Sequence, residues 1–415
     1  MANPGQTFVV LVFLYSLASS RLEHTIFTAP IVFTVGGIVL IFVLPVLAEF
    51  EADRKAFLLI AEVGLVLTLF VDATRINLQV LKSNESLPVR LLGIGMLPTI
   101  LLGAIGAAIV FPQLSLWEAG ILAAILAPTD AGLGEVIVNS PRVPVRIRQA
   151  LSVEAGLNDG LSVPFLMLFI ALAQVGTKGA GAVLMRFVVE QLGFGALVGV
   201  VIGLAGGWLL GLAKRKGWMA ESSQQLGLVA LPLLCVMGSE PVGASMFISG
   251  YVAGIAVQVG FREAAEESLE FTEGWGRLLD FFVFFLFGMM TALAWKKFSM
   301  PLLLYAAISL TVVRMLPVAV ALIGTRLSAA TVVFMGWFGP RGLASIVLGL
   351  VYLEQESHLP GESPIRLAVM ATVLLSIFAH GFSAMPGIGL YARKIATLDA
   401  SAPEHLEVVD TKSLS

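Results

Sequence analysis

Apolar residues along this chain fall in long continuous runs, not in the three-and-four spacing of a water-facing helix or the alternation of a half-buried strand. Windows of about 19 residues pick out thirteen runs, near 7–20, 28–48, 56–73, 89–111, 117–139, 148–173, 186–213, 224–238, 240–258, 277–294, 299–324, 328–353 and 365–390. A spanning helix needs about 20 apolar residues, and only the first and eighth runs fall clearly short. Barrel strands would need about 10 residues in strict alternation, which these runs lack. The pattern predicts an all-α polytopic membrane protein of about thirteen transmembrane helices occupying residues 1–391. The connections are brief, with no room for a soluble domain. Residues 392–415 carry Asp399, Glu404, Glu407 and Asp410 with little to bury, so a short disordered cytoplasmic tail is expected. Met1 to Ser20 has no basic stretch before its apolar run, so a first spanning helix is preferred to a cleaved signal peptide.

Composition agrees. The 415 residues are 58% hydrophobic and 13% charged, about half the roughly 25% charge of a soluble domain. Net charge is −3 without a long basic run, so nucleic acid is not an expected partner. The single Cys235 cannot form an intrachain disulfide. Sixteen Lys and Arg residues lie in the loops after odd-numbered spans and in the tail, against seven on the other side. The positive-inside rule then puts the N-terminus outside and the C-terminus in the cytoplasm, as in an inner (cytoplasmic) membrane protein.

Two arginines are left over, Arg314 and Arg341, and both fall inside apolar spans with Asp72, Asp130, Glu154, Asp159 and His380. An ionisable group at mid-bilayer costs about 2.5 to 3.5 kcal/mol, so each needs a partner or a task. Four acids and two arginines in one bundle suggest a cation pathway with built-in counter-charges. In the fifth span, Ala127-Pro128-Thr129-Asp130-Ala131-Gly132-Leu133-Gly134 places a proline and two glycines around a carboxylate. The helix should unwind there and free carbonyls for a cation. The twelfth span has a matching break, Gly339-Pro340-Arg341-Gly342. Two interrupted spans with opposite central charges, half a chain apart, fit an inverted-repeat transporter; two separate proline kinks are the plainer reading. In the first case Asp130 and Arg341 would offset half-helix dipoles. In the sixth span Glu154 and Asn158 share a face, whereas Asp159 points about 140° away from Glu154. Glu154 is therefore expected to pair structurally with Arg314, leaving Asp159 for a cavity.

At these residues the sequence resembles the monovalent cation:proton antiporter family, in particular its prokaryotic sodium/proton exchanger branch. The likeness rests on Thr129-Asp130, on Arg146-Ile147-Arg148-Gln149-Ala150-Leu151 leading to Glu154 and Asn158-Asp159-Gly160, and on Arg314 followed by Pro317. It continues in Trp337-Phe338-Gly339-Pro340-Arg341-Gly342 and Ala379-His380-Gly381. The resemblance implies that Asp159 is the central cation and proton site, that Thr129 and Asp130 lie in crossed, unwound helices, and that Asp72 can add a ligand. It also implies the Glu154–Arg314 ion pair, a homodimer and a separate six-helix transport core. One departure is Ala155, where the family often has a serine hydroxyl; Ser152, Ser162 or water would have to supply that oxygen.

The expected function is exchange of a monovalent cation, Na+ or else Li+ or K+, for H+ by alternating access. The cation would lie at Asp159, Asp130 and Asp72, with Thr129 and Asn158 completing the site. The neutral Asn158 beside Asp159 suggests one titrating centre and electroneutral exchange, in the service of pH homeostasis. A potassium/proton antiporter is the near alternative and a proton-coupled solute symporter the more distant one. No His-Glu-x-x-His or Gly-x-Ser-x-Gly motif is present, so neither enzymatic activity nor a cofactor is expected. Other features read as structural. Gly199, Gly203, Gly207 and Gly211 form a stripe for close helix contact, His380 reads as a bonded core residue, and Phe281 to Phe287 as lipid-facing or packed bulk. Arg142, Arg146 and Arg148 read as topology determinants. Asn84-Glu85-Ser86 matches a glycosylation sequon in a loop assigned to the cytoplasm, so it is read as accidental.

Overall fold

A computed structural model of the chain describes residues 4–22, 25–44, 54–74, 87–175, 181, 185–186, 188–261, 269–354, 359–399 and 401–405. The sequon at Asn84 and the tail beyond His405 lie outside them. Among the described residues the fold is all-helical. The helices are α1 (Pro4–Leu22), α2 (Ala29–Val43), α3 (Arg54–Thr74), α4 (Leu87–Val110), α5 (Leu116–Ile125), α6 (Ala131–Val138), α7 (Val145–Val175) and α8 (Gly195–Arg215). They continue with α9 (Glu221–Ser239), α10 (Met246–Gly260), α11 (Leu269–Ala294), α12 (Met300–Ala321), α13 (Ala329–Trp337), α14 (Leu343–Glu354) and α15 (Glu362–Ile395).

Where described, the predicted apolar runs are helical, and the two proline-glycine runs are interrupted. The fifth divides into α5 and α6, and the twelfth into α13 and α14. Pro128 disfavours helical geometry at Ala127, and Gly339-Pro340 does the same beyond Trp337. Two interrupted segments half a chain apart are the arrangement of inverted repeats. They cross at their breaks, where the Asp130 N–H donates to the Pro340 carbonyl at 2.8 Å.

Packing uses small residues where helices approach and aromatic bulk where they diverge. Gly199, Gly203, Gly207 and Gly211 are buried along α8, against the α10 backbone around Ser249, Ala253, Val257 and Gly260. The Phe281 to Phe287 run is packed bulk: Phe281 stacks on Phe33 with centroids 4.5 Å apart, and Phe284, Phe285 and Phe287 are buried. Val9, Phe13 and Leu17 on α1, Leu101 and Ile109 on α4, and Leu197, Val201 and Trp208 on α8 stay exposed. Such an apolar exterior suits hydrocarbon rather than water.

The polar tail departs from expectation. α15 runs on to Ile395, and Pro403–His405 forms a 3-10 turn in which Glu404 is buried. Glu404 accepts bonds from the Ser328 N–H and the Thr331 hydroxyl, both at 2.7 Å. The Arg146 guanidinium donates to the Pro403 carbonyl at 2.9 Å. Residues up to His405 are thus docked, because one acid in a polar segment finds the open N-terminus of α13. Arg146 and Arg148 are also more than topology signals, since Arg148 reaches the Val138 carbonyl at 3.2 Å.

Candidate functional site

The crossing places two pairs of half-helix ends near mid-bundle, and the ionisable residues are arranged around them. Asp130 is the N-cap of α6, where its Oδ1 accepts the Leu133 N–H at 2.7 Å. Its Oδ2 accepts the Leu343 N–H at the start of α14. One carboxylate therefore caps two helix N-termini, where the backbone dipoles favour negative charge. Gly342 makes this possible, since a Cβ there would collide with Asp130 Oδ2.

Arg341 is fully buried. Its Nη1 donates to the Gly339 carbonyl just beyond α13 at 3.0 Å, and its N–H bonds Ser376 Oγ at 2.7 Å. The guanidinium thus sits at a helix C-terminus, as the dipole reading expects. His380 is buried, with Nε2 at 2.8 Å from the Trp337 carbonyl and Nδ1 at 2.9 Å from the Ser376 carbonyl. This is the bonded core histidine anticipated from sequence.

The expected ion pair is present. Arg314 holds Glu154 through both guanidinium nitrogens, with Nη2 to Oε2 at 2.9 Å, and the two side chains are 6% and 3% exposed. Asn158 is bonded to the unwound segment. Its Nδ2 donates to Thr129 Oγ1 at 2.7 Å and its Oδ1 accepts the Thr129 N–H at 3.1 Å. Each end of the amide thereby helps to pin the unwound segment to α7.

Asp159 stands apart. It is 6% exposed, lines a cavity of about 850 Å3, and its Oδ1 is buried without a hydrogen-bond partner among the described residues. Asp72 and Asp130 line the same cavity. Asp72 approaches α7 at Gly156, where a Cβ would lie 3.1 Å from Asp72 Cβ. Among the described residues no three acids converge closely enough to cage an ion. The predicted trio therefore faces one space without closing around a common point.

Ala155 borders a second, water-sized void of about 20 Å3, shared with Thr129, Asp130 and Glu154. Of the two candidate serines, Ser152 lines both this void and the large cavity, whereas the Ser162 Oγ donates to the Asn158 carbonyl of its own helix at 2.8 Å.

A family model for the transmembrane sodium/hydrogen exchanger matches residues 7–386. The chain belongs to the sodium/hydrogen exchanger family. Relatives within reach of this exchanger-family chain include a probable Na(+)/H(+) antiporter of Schizosaccharomyces pombe, 28% identical over 66% of this chain and 40% of the relative. A K(+)/H(+) antiporter NhaP2 of Shewanella oneidensis is 25% identical over 64% of this chain and 46% of the relative. The chain spans less than half the length of both relatives. Among solved structures, the sodium proton antiporter MjNhaP1 of Methanocaldococcus jannaschii superposes with a TM-score of 0.74 at 19% identity, covering 94% of this chain and 97% of that one. That likeness establishes a shared fold.

Glu135, Asp280 and Glu118 of this exchanger-family chain escaped the sequence reading; Glu135 on α6 lines the large cavity. Asp280 on α11 lines the large cavity; it lies three residues inside the apolar window, but α11 begins eight residues before that window, at Leu269. Glu118 is buried in the Ser115 capping box of α5 and also accepts the Gly361 N–H at 2.7 Å. Its signal, Ser-x-x-Glu before an apolar run, was present in the sequence.

Proposed function

We propose that the chain is a secondary transporter that exchanges a monovalent cation, Na+ in the first instance, for H+ through Asp159. The observation that carries this reading is Asp159 itself, which lines the large cavity and keeps one oxygen without a hydrogen-bond partner among the described residues. Asp130 is bound by two backbone N–H groups, Asn158 by Thr129, and Glu154 by Arg314. Asp159 is left to bind what enters.

Removal from water disfavours a bare carboxylate, and either a proton or a cation relieves the cost. The two ligands compete for one group. Loaded forms cross between the two access states, and the empty, charged form crosses poorly. Competition alone couples the fluxes. Asp72 and the Thr129 segment complete the coordination once the helices close around the ion. Asp130 and Arg341 keep the half-helix ends electrostatically balanced through the change.

The cavity is lined by Ser19 at the end of α1, Asp72 late in α3, Asn139 after α6 and Gly274 early in α11. All lie toward the loops richest in Lys and Arg. With those loops in the cytoplasm, the N-terminus is outside, the C-terminus inside, and the cavity opens inward. We assign the chain to the cytoplasmic membrane as a homodimer, with no resident cofactor. Its role is pH and sodium homeostasis rather than enzymatic chemistry.

Potassium is the second reading, favoured by the relative named as a K(+)/H(+) antiporter. Proteoliposomes with an internal pH dye decide between the ions when Na+, Li+ and K+ are added in turn. Asp159→Asn should abolish the response while the protein stays folded, and retained exchange in that variant would overturn the assignment of Asp159. One titrating centre also makes the cycle electroneutral. Proton movement that follows an imposed membrane voltage at equal pH would exclude electroneutrality.

A further inference from the structure

We propose that Asp280 is a second cation-binding carboxylate of the same cavity, which helps to hold the ion beside Asp159 and sets the apparent affinity. The inference rests on the antiporter reading and adds to it a residue on α11, a helix separate from those of the crossed segments and α7.

Five carboxylates line the large cavity, Asp72, Asp130, Glu135, Asp159 and Asp280, together with one guanidinium, Arg277. Such a cluster is not a site in itself; what distinguishes this one is how its members are partnered. Asp130 is held by two helix N-termini. Glu135 on α6 is bonded to Arg277 on α11 at 2.9 Å. Asp159 has nine-tenths of its surface buried and Asp280 is half-buried; each keeps a buried Oδ1 with no partner among the described residues. Asp280 is also within Coulombic reach of Asp159.

A carboxylate oxygen withdrawn from water without a partner is costly. Arg277 gives Asp280 some Coulombic relief, but no hydrogen bond reaches this oxygen. Arg277 is one turn from Asp280 on α11, a spacing at which side chains can meet, yet its guanidinium is bonded to Glu135. Phe281 and Phe284 flank Asp280 on the cavity wall, lowering the local dielectric and strengthening its attraction for a cation.

Asp280 and Gly274 on α11 line the same cavity as Asp159. The negative charge of Asp280 raises the local concentration of cations beside Asp159. Because this carboxylate is on α11, it need not move with the crossed helices.

The test is Na+-dependent exchange by the full chain in liposomes loaded with a pH dye, for wild type, Asp280→Asn and Asp280→Glu. Asp280→Asn should raise the half-saturating Na+ about tenfold, the equivalent of one charge-assisted contact, while keeping most of the rate at saturation. Asp280→Glu should stay near wild type. An unchanged half-saturation in Asp280→Asn overturns the proposal. If Asp280→Asn does not turn over, the Na+ concentration that protects the purified protein against thermal unfolding answers the same question: a raised midpoint supports the proposal and an unchanged one overturns it. An Asp280→Asn protein that fails to assemble while Asp280→Glu assembles would assign the carboxylate to folding and also overturn it. Wild-type vesicles that exchange no monovalent cation would instead sink the antiporter reading, so the two failures are distinct.

Discussion

The Asp130 carboxylate accepts the backbone N–H of Leu343, 213 residues further along the chain, while its other oxygen caps α6. Asp130 is thus the fastening between two interrupted helices as well as a wall of the cavity. Asp130→Ala leaves two buried N–H groups without acceptors, at about 1–3 kcal/mol each. The variant should melt well below wild type in detergent and lose exchange. Asp130→Asn keeps one acceptor oxygen and should fall between. An unaltered melting temperature for Asp130→Ala would show that the crossing is held by other contacts.

Glu154 and Arg314 form a bidentate pair with almost no exposure. Removing one member strands the other charge, a loss of about 3–5 kcal/mol, whereas replacing both by neutral side chains is far milder. Glu154→Gln and Arg314→Met should each lower expression and thermal stability. The double variant should recover much of the stability in a double-mutant cycle. Simple additivity of the two losses would mean that the pair does not act as a unit.

Ala155 borders the water-sized void beside Thr129 and Asp130. Ala155→Ser puts an oxygen into that space at little steric cost. One added ligand of about 1 kcal/mol should lower the half-saturating Na+ about fivefold and leave folding unchanged. A rise in half-saturation, or a fall in thermal stability, would mean that the void is not part of the ion path.

The crossed helices were legible in the sequence because Pro128 and Pro340 with their neighbouring glycines interrupt otherwise unbroken apolar runs, and Asp130 and Arg341 stand at the breaks. The separate faces of Glu154 and Asp159 followed from helical angle alone. Arg314 was left as the partner because it was the spare arginine in a long apolar span. Asn158 shows the limit of such reasoning: periodicity gives a face, but its two bonds to Thr129 depend on how an unwound segment lies across another helix. Asp280 was missed because hydropathy locates the apolar centre of a span and not the start of its helix. Glu404 was missed because nothing near it in sequence marks burial; its acceptors are satisfied by Ser328 and Thr331, more than seventy residues earlier.

Glu404 gives the tail a pH-dependent attachment. Burial raises its pKa, but the Ser328 N–H and the Thr331 hydroxyl outweigh that and hold the carboxyl below its ordinary value. A depressed pKa in the docked state means that the attachment is fully present above the ordinary glutamate value, about 4.3, and is lost as pH falls through the lower docked-state value. The turn should therefore stay seated at neutral pH and release only in acid. Glu404→Ala should release it at neutral pH, with faster hydrogen exchange at the Ser328 amide and easier proteolysis across residues 396–405. Arg146→Ala removes the second tie, to Pro403, and should loosen the turn without creating acid sensitivity of its own. Equal Ser328 protection in wild type and Glu404→Ala would mean that the turn is held by packing rather than by its carboxylate.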